Sequence, residues 1–273
     1  MLWRALKNIK EGSYIDIGAQ HPIVDSVSMA FYEKGWRGAH CEPNSQYAAE
    51  LRMARPDELV YEEVIGANEA TVPFYEIKDT GLSTCDKALA DLHASRGWHY
   101  TVGTRKVSTL DRVFDRFGSR DIHWLKVDVE GFEKQVFQGW RDSHIRPWII
   151  VAESVCPDSR KDLSGEWQEL LTGKDYAPVY FDGLNWFYLH RDHADLSGAF
   201  AAPPNVFDDF VFSELASASL CQRVSNDWQA RFAPAENELR VLRSELASIL
   251  NSGSWRITGP LRKLRSFCMG GRG

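Results

Sequence analysis

Over the first two-thirds of the chain, short apolar runs alternate with amphipathic segments, the pattern of a parallel β-sheet wrapped by helices. The runs predict strands at Tyr14–Ile17, Gly38–Glu42, Leu59–Ile65, Ile122–Val127 and Pro147–Glu153. Between them, helices are expected from Leu2 to Lys10, stopped at Gly12, and from an Asp25 N-cap to Lys34, stopped by Gly35. Further helices are expected over Gln46–Ala54 with Asn44 as cap, up to about Gly97, over Thr109–Phe117, around Val136 and over Glu166–Leu171. Thr71–Ile77 and Lys106–Ser108 read as extended. Val179–Phe181 and Trp186–Leu189 flank Asp182-Gly183-Leu184-Asn185 as a hairpin, which ends the parallel run on an antiparallel strand.

The pattern changes near Ala201–Pro204, which divides the chain into a body, 1–200, and a helical tail, 201–273. Within the tail, Leu239, Leu242, Leu246 and Ile249/Leu250 recur at three- and four-residue spacing over about 236–250. That is about two heptads, short of what sustains an isolated coiled coil. Charge sharpens the division. The net charge is −6, yet the basic end, 252–273, holds five Lys/Arg and no acid, so 27 cations face 38 acids elsewhere and the remainder stands at −11. Such an end can touch an anionic membrane surface or drive self-association. An acidic body without an interleaved basic-aromatic patch disfavours nucleic acid as partner. Five scattered cysteines form no CxxC or Cys/His cluster, which disfavours a zinc site and suits a reducing compartment. No secretory-type apolar core opens the sequence, and no run is long enough to span a bilayer. The expectation is a cytoplasmic protein, with the tail able to reach the inner membrane face.

Candidate chemistry gathers where the strands end. Asp16-Ile17-Gly18-Ala19 closes the first, and ligands in open α/β sheets sit at carboxyl ends of strands. An acid there suits a cofactor bearing an amine and a sulfonium rather than a pyrophosphate; the glycines of GxGxxG are replaced by Gln20 and its neighbours, and no YxxxK pair is present. Glu42 ends the second strand 26 positions later, near the offset expected of a ribose-binding acid, and is followed by Pro43-Asn44. Gly66 follows the third strand. In Leu125–Glu133 the fourth strand delivers Asp128 and Glu130 to the same rim, with Glu153 of the fifth strand adjoining. An alcohol attacks a methyl sulfonium poorly while it keeps its proton, so Asp128, Glu130, Glu153 or the loop residue His21 is expected to act as base, or a divalent metal such as magnesium to lower the acceptor pKa. Lys126 and Glu133 read as solvated or ion-paired.

The segments YIDIGAQHPIVDSVS, GWRGAHCEPN, TGLST, STLD, IHWLKVDVEGFEKQVFQGW, RPWIIVAE and YFDGLNWFYL, in that order over about residues 1–193, resemble the FkbM-type methyltransferases. The resemblance implies a Rossmann-like class I methyltransferase fold: a seven-stranded, mostly parallel sheet with helices on both faces and an antiparallel last strand. It implies S-adenosylmethionine as donor, with Asp16, Gly18 and Glu42 matching cofactor positions and Asp128 and Glu130 the DVEG signature, and O-methylation of a sugar hydroxyl in a surface glycan or related glycoconjugate; Ala19, Gln20, Asn44 and Gly66 are further candidates for the cofactor site. Gln20-His21-Pro22 departs from the Asn and second glycine common in the family. The tail stretch ILNSGSWRITGPLRKL is similar to segments that follow methyltransferase and glycosyltransferase domains in bacterial surface-polysaccharide proteins. Two other readings compete: a non-catalytic cofactor-binding scaffold of a glycan-assembly complex, and a nucleotide-sugar oxidoreductase, which the missing GxGxxG and YxxxK disfavour.

Overall fold

The computed structural model describes residues 1–118, 120–155, 162–208, 234, 238–252 and 255. Contacts divide the chain into two units, Met1–Phe210 and Val211–Gly273.

In the first unit seven strands form one sheet in the order β3-β2-β1-β7-β8-β10-β9. These are β1 (Ser13–Ile17), β2 (Arg37–Cys41), β3 (Leu59–Tyr61), β7 (Trp124–Val127), β8 (Ile149–Glu153), β9 (Tyr176–Phe181) and β10 (Asn185–His190). β1, β2, β3, β7 and β8 pair in parallel, and β10 lies antiparallel between β8 and β9. The apolar run expected to form one strand over Leu59–Ile65 instead splits. Leu59–Tyr61 stays with β2, while β4 (Val64–Ile65) pairs with β6 (Tyr100–Ser108) in a second sheet of order β4-β6-β5, completed by β5 (Ala70–Ile77). The turn falls at Glu62-Glu63, where Glu62 pairs with Arg52 and Glu63 with Arg116.

Alternate side chains of the central strands enter different apolar clusters, as a pleated strand requires. Ile15, Ile17, Leu125, Val127, Ile150 and Ala152 join one, together with residues from α5 (Leu110–Phe117), α6 (Glu133–Gln138) and α7 (Gln168–Thr172). Tyr14, Trp124, Ile149 and Val151 join the other, with residues from α1 (Leu2–Leu6) and α2 (Met29–Glu33). α3 (Ser45–Ala54) starts where the sequence places it, with Asn44 Oδ1 accepting from the Gln46 and Tyr47 amides; α4 (Lys87–Ser95) is capped the same way by Asp86. α1 is shorter than expected. α2 starts at Met29 behind Ser28, and the expected cap Asp25 stands in the left-handed region (φ 55°) of the preceding loop. That loop is held from below, which delays the helix. Arg55, 1% exposed, donates to Ser28 Oγ and Ser26 Oγ at 2.8 Å each and to the Pro22 carbonyl.

The N-terminal helix is tied to residues just past the expected body–tail junction. Arg4 donates to the carbonyls of Ala199, Ala202 and Pro203 and forms a two-pronged ion pair with Asp208. Residues 201–208 therefore stay with the body, and the division by contacts falls ten residues beyond the boundary read from sequence. In the second unit residues 238–251 are helical. The tail stretch resembling polysaccharide-protein segments and the basic end lie, apart from 249–252 and 255, outside the described residues. Among the described residues, no helix is long and apolar enough to cross a membrane.

Gly38 sits opposite Tyr14 in the β1–β2 register, where an added Cβ would lie 2.3 Å from the Tyr14 ring and 2.7 Å from its carbonyl oxygen. Gly38→Ala is therefore expected to destabilise by about 1–3 kcal/mol through overpacking. Gly198→Ala, with nothing within 4 Å of its added Cβ, is expected to stay within about 0.5 kcal/mol of the parent. Urea denaturation midpoints check the pair, and equal shifts would remove the close-approach argument.

Candidate active site

The strands β1, β2, β7 and β8 deliver Asp16, Glu42, Asp128 and Glu153 to one rim. Gly18, at φ 78°, lets the chain leave β1 against the start of the Asp128 turn, where an added Cβ would lie 1.7 Å from the Asp128 carbonyl oxygen. Beyond it opens a cleft of about 790 Å³, mouth included, lined by residues such as Gln20, Glu42, Tyr47, Phe74, Glu130 and Phe132.

Glu42 is 6% exposed, and its carboxylate accepts from the Gln20 and Asn44 amides at 2.8 Å each. Burial pushes it up to about 7 against the opposing pull of those two amides. The loop amides thus face a carboxylate and the first free amides of α3 face Asn44, which leaves this rim poor in donors for a pyrophosphate. Asp16, 2% exposed, accepts from Ser28 Oγ at 2.8 Å through Oδ2, while Oδ1 has no hydrogen-bond partner and lies 4.0 Å from Lys126 Nζ.

A second group forms around the Asp128-Val129-Glu130-Gly131 turn. One carboxylate oxygen from each of Asp128, Glu130 and Glu153 lies within 4.8 Å of the others, close enough to share a proton or a cation. Lys126, read from sequence as solvated or ion-paired, is mostly buried and bonds Asp128 at 2.7 Å. Burial acts to lower the Lys126 ammonium, but the charges of Asp128 and Asp16 overcome it and hold it above the usual lysine range. Burial acts to raise Asp128, yet Lys126 and a hydrogen bond with Glu153 leave it below the usual carboxylate range. The neighbours go the other way. Burial, then the Asp128 charge, pushes Glu130 up to about 8 and Glu153 up to about 10. Glu133 is not solvated as its sequence setting implies: it is 4% exposed, accepts from the Val129 and Gly131 amides, and burial raises it to about 7.

Glu130 holds a left-handed backbone (φ 51°), as does Gln20 (φ 52°), and both line the cleft. The Thr80–Thr84 loop fixes the first of these turns, because Thr84 Oγ1 donates to the Glu130 carbonyl at 2.8 Å. Glu130 also lines a second, adjoining cleft of about 1140 Å³ between α4, the β7–α6 turn and the end of β8. Among the described residues its lining holds five acids, Asp86, Glu130, Glu133, Glu153 and Glu166, and one cation, Lys134, tied to Glu166 at 3.4 Å.

The structure thus brings Asp128, Glu130 and Glu153 together, and Gly18, Gln20, Glu42 and Asn44 line the first cleft. Four sequence candidates lie outside the cleft lining. Asp16 is buried at the end of β1, with its carboxylate on Ser28. His21 Nδ1 accepts from the Ile23 and Val24 amides and its Nε2 lies 3.8 Å from Glu50, so the ring organises its own loop. Gly66 packs between Phe132, Val107 and Gly139, and Ala19 is buried; neither lines the cleft. Phe74, Phe132 and Tyr47 are cleft walls that were not among the sequence candidates: Phe74 and Tyr47 carry no motif and reach the site only through the small sheet and the first turn of α3, while Phe132 closes the Asp128–Gly131 turn at the N-cap of α6.

No curated protein matches the chain. A family model, the methyltransferase FkbM domain, matches residues 16–178, from the acid that ends β1 to the middle of β9 and across every strand end that builds the rim. On that match, which spans more than half its length, the chain belongs to the FkbM methyltransferase domain family.

Proposed function

We propose that this protein is an S-adenosylmethionine-dependent O-methyltransferase in which Glu130, at the junction of two clefts, takes the proton from an acceptor hydroxyl. The observation that carries the reading is Glu130 itself: it lines both clefts, stands beside Asp128 and Glu153, and is held near 8. The residues present fit the donor. Phe74, Phe132 and Ile65 offer apolar walls for a flat base, and Glu42 offers a carboxylate to ribose hydroxyls. Asp16 Oδ1 is a buried oxygen short of a donor, and the surrounding rim is acidic, as a cationic amino-acid end requires. When bound, S-adenosylmethionine supplies an electrophilic methyl group on a sulfonium. The chain's own residues do the rest.

Asp128, kept ionised by Lys126, is a weak base but a fixed negative charge. Glu130, near 8, is partly ionised at neutral pH and basic enough to receive a hydroxyl proton. Glu153, held near 10, stays protonated and donates toward Asp128. The acidic lining of the second cleft, where Glu153 offers a protonated carboxyl and Glu130 is partly ionised, supports a neutral polyhydroxylated acceptor such as a sugar of a surface glycan over an anionic one. The same three carboxylates are the residues that would hold a magnesium ion, whose charge would reverse these shifts.

Three measurements test this. Calorimetry is expected to show binding of S-adenosylmethionine or its demethylated product. Glu42→Gln should weaken binding by about 1.5–3 kcal/mol. Because the Glu42 carboxylate forms only as pH passes about 7, wild-type affinity should fall roughly tenfold from pH 8 to pH 6, a dependence the Gln variant lacks. No binding by the wild type, or preference for a dinucleotide, would sink the reading.

For catalysis, Glu130→Gln is expected to keep donor affinity and lower kcat by roughly 10²–10⁴. It should also remove an alkaline-rising limb near pH 8 from the rate profile. A full-rate variant with an unchanged profile would move the base elsewhere. Loss of activity on chelation, restored by magnesium, would assign the cluster to a metal instead.

The third measurement is stability without ligand. Glu130 is raised from 4.5 to about 8 in the folded state, so its contribution is present below pH 4.5 and lost as pH rises through 8. The melting temperature of Glu130→Gln relative to wild type should therefore climb between pH 5 and pH 8. A flat difference would mean that Glu130 is not desolvated in the folded protein.

A further inference from the structure

Among the described residues, the tail helix carries an apolar seam that stays exposed. Over residues 238–251, Leu239, Leu242, Leu246 and Ile249 follow spacings of three, four and three, the a-d-a-d positions of two heptads. Each is 50–56% exposed, a large loss for four aliphatic side chains on one stripe. A 14-residue helix is marginal in water by itself, so a stripe of this kind is stabilised by burying it against another surface.

The charges flanking the seam say which surface. With Leu239 at a, Glu238 falls at g, Arg243 at e and Glu245 at the next g, all exposed. In a parallel pair, g of one helix meets e of the next heptad of the other, which sets Glu238 against Arg243 twice by symmetry. In an antiparallel pair with the same apolar register, Glu245 would face Glu245 and Arg243 would face Arg243. From this complementarity we infer that the tail helix is a homotypic interface, pairing in parallel with the same helix of a second copy of this chain.

The seam is short, so the association is concentration-dependent rather than permanent. Parallel pairing also puts the basic ends of both chains, 252–273, on the same side, doubling their local cationic charge. The inference does not depend on the reaction catalysed, since no residue of the clefts takes part.

Sedimentation velocity of the full-length protein across the micromolar range tests it. The expected result is a mass rising to the dimer or a larger parallel assembly, with Leu242→Asp leaving a monomer whose circular dichroism melt for the body is unchanged. Glu238→Arg should raise the dissociation constant on the order of tenfold, and adding Arg243→Glu should restore it. Leu239→Cys, at an a position, should cross-link to its own copy under mild oxidation beyond the wild-type background, as only a parallel pair permits. A wild type that stays monomeric throughout, or an assembly indifferent to Leu242→Asp, overturns the interface. Failure of the charge-swapped double variant to recover, together with no cross-link at 239, overturns the parallel arrangement.

Discussion

Parallel strands that end at one rim bring their terminal side chains together, and here those of β1, β2, β7 and β8 or the residues just beyond them are carboxylates: Asp16, Glu42, Asp128 and Glu153. Like charges in a partly dry rim repel and are costly to desolvate. The cation that makes the arrangement tenable is Lys126, on β7 itself, 2.7 Å from Asp128 and 4.0 Å from Asp16. Its reach divides the acids into two classes. Asp128, hydrogen-bonded to it, stays ionised; Glu130 and Glu153, without that bond, are pushed toward their neutral forms by burial and by the charge on Asp128. One lysine therefore separates a permanent anion from proton-exchanging neighbours only a few ångströms away, the pairing of unlike titrations that acid–base chemistry uses.

A second buried cation supports the other half of the rim. Arg55, at the C-terminal end of α3, gathers Ser26, Ser28 and the Pro22 carbonyl, lies 3.6 Å from Glu58, and Ser28 in turn donates to Asp16. Glu58 receives Tyr14 OH, the Gly38 amide and His40. The irregular chain from Gly18 to Ser28 thus rests on a polar layer anchored in β1, β2 and α3, and not on a regular helix beginning at Asp25. That layer lets Gln20 keep a left-handed backbone and offer its amide to Glu42.

The strand ends were legible in the sequence because each is written locally: an apolar run, then an acid, then Gly18, Pro43-Asn44 or the Val129–Gly131 turn. The cap at Asn44 and the antiparallel hairpin at the sheet edge follow from equally local signals. The misread elements depend on distant partners. Leu59–Ile65 reads as one strand until Val64 and Ile65 find Val107 and Ser108 more than forty residues away. Asp25 reads as a cap until Arg55 claims the residues after it. Lys126 is ion-paired, one of the two readings its sequence allows, but its burial comes from the fold; Glu133 reads as solvated or ion-paired because nothing in its immediate sequence reports that it folds back onto the Val129 and Gly131 amides. His21 is a different case: its ring nitrogen is spent on the Ile23 and Val24 amides, two and three residues on, a local turn that the pattern of apolar runs does not report.

Glu130 shows why placement matters more than residue type in this site. Three acids, Asp128, Glu130 and Glu133, occupy alternating or neighbouring positions of one turn, yet they do different work. Asp128 is neutralised by Lys126. Glu133 is folded back onto the Val129 and Gly131 amides, so its oxygens brace the turn instead of facing a ligand. Glu130 alone of the three is thrust outward by a left-handed backbone, held there by Thr84 on its carbonyl, and so becomes the wall common to both clefts. A right-handed backbone at that position would turn the side chain out of the junction. The cost of the strained conformation, of order 1–3 kcal/mol, is borne by a turn that Glu133 and the Thr80–Thr84 loop already over-determine. Under the function proposed above, such a turn would hold the Glu130 carboxyl in position before donor or acceptor arrives.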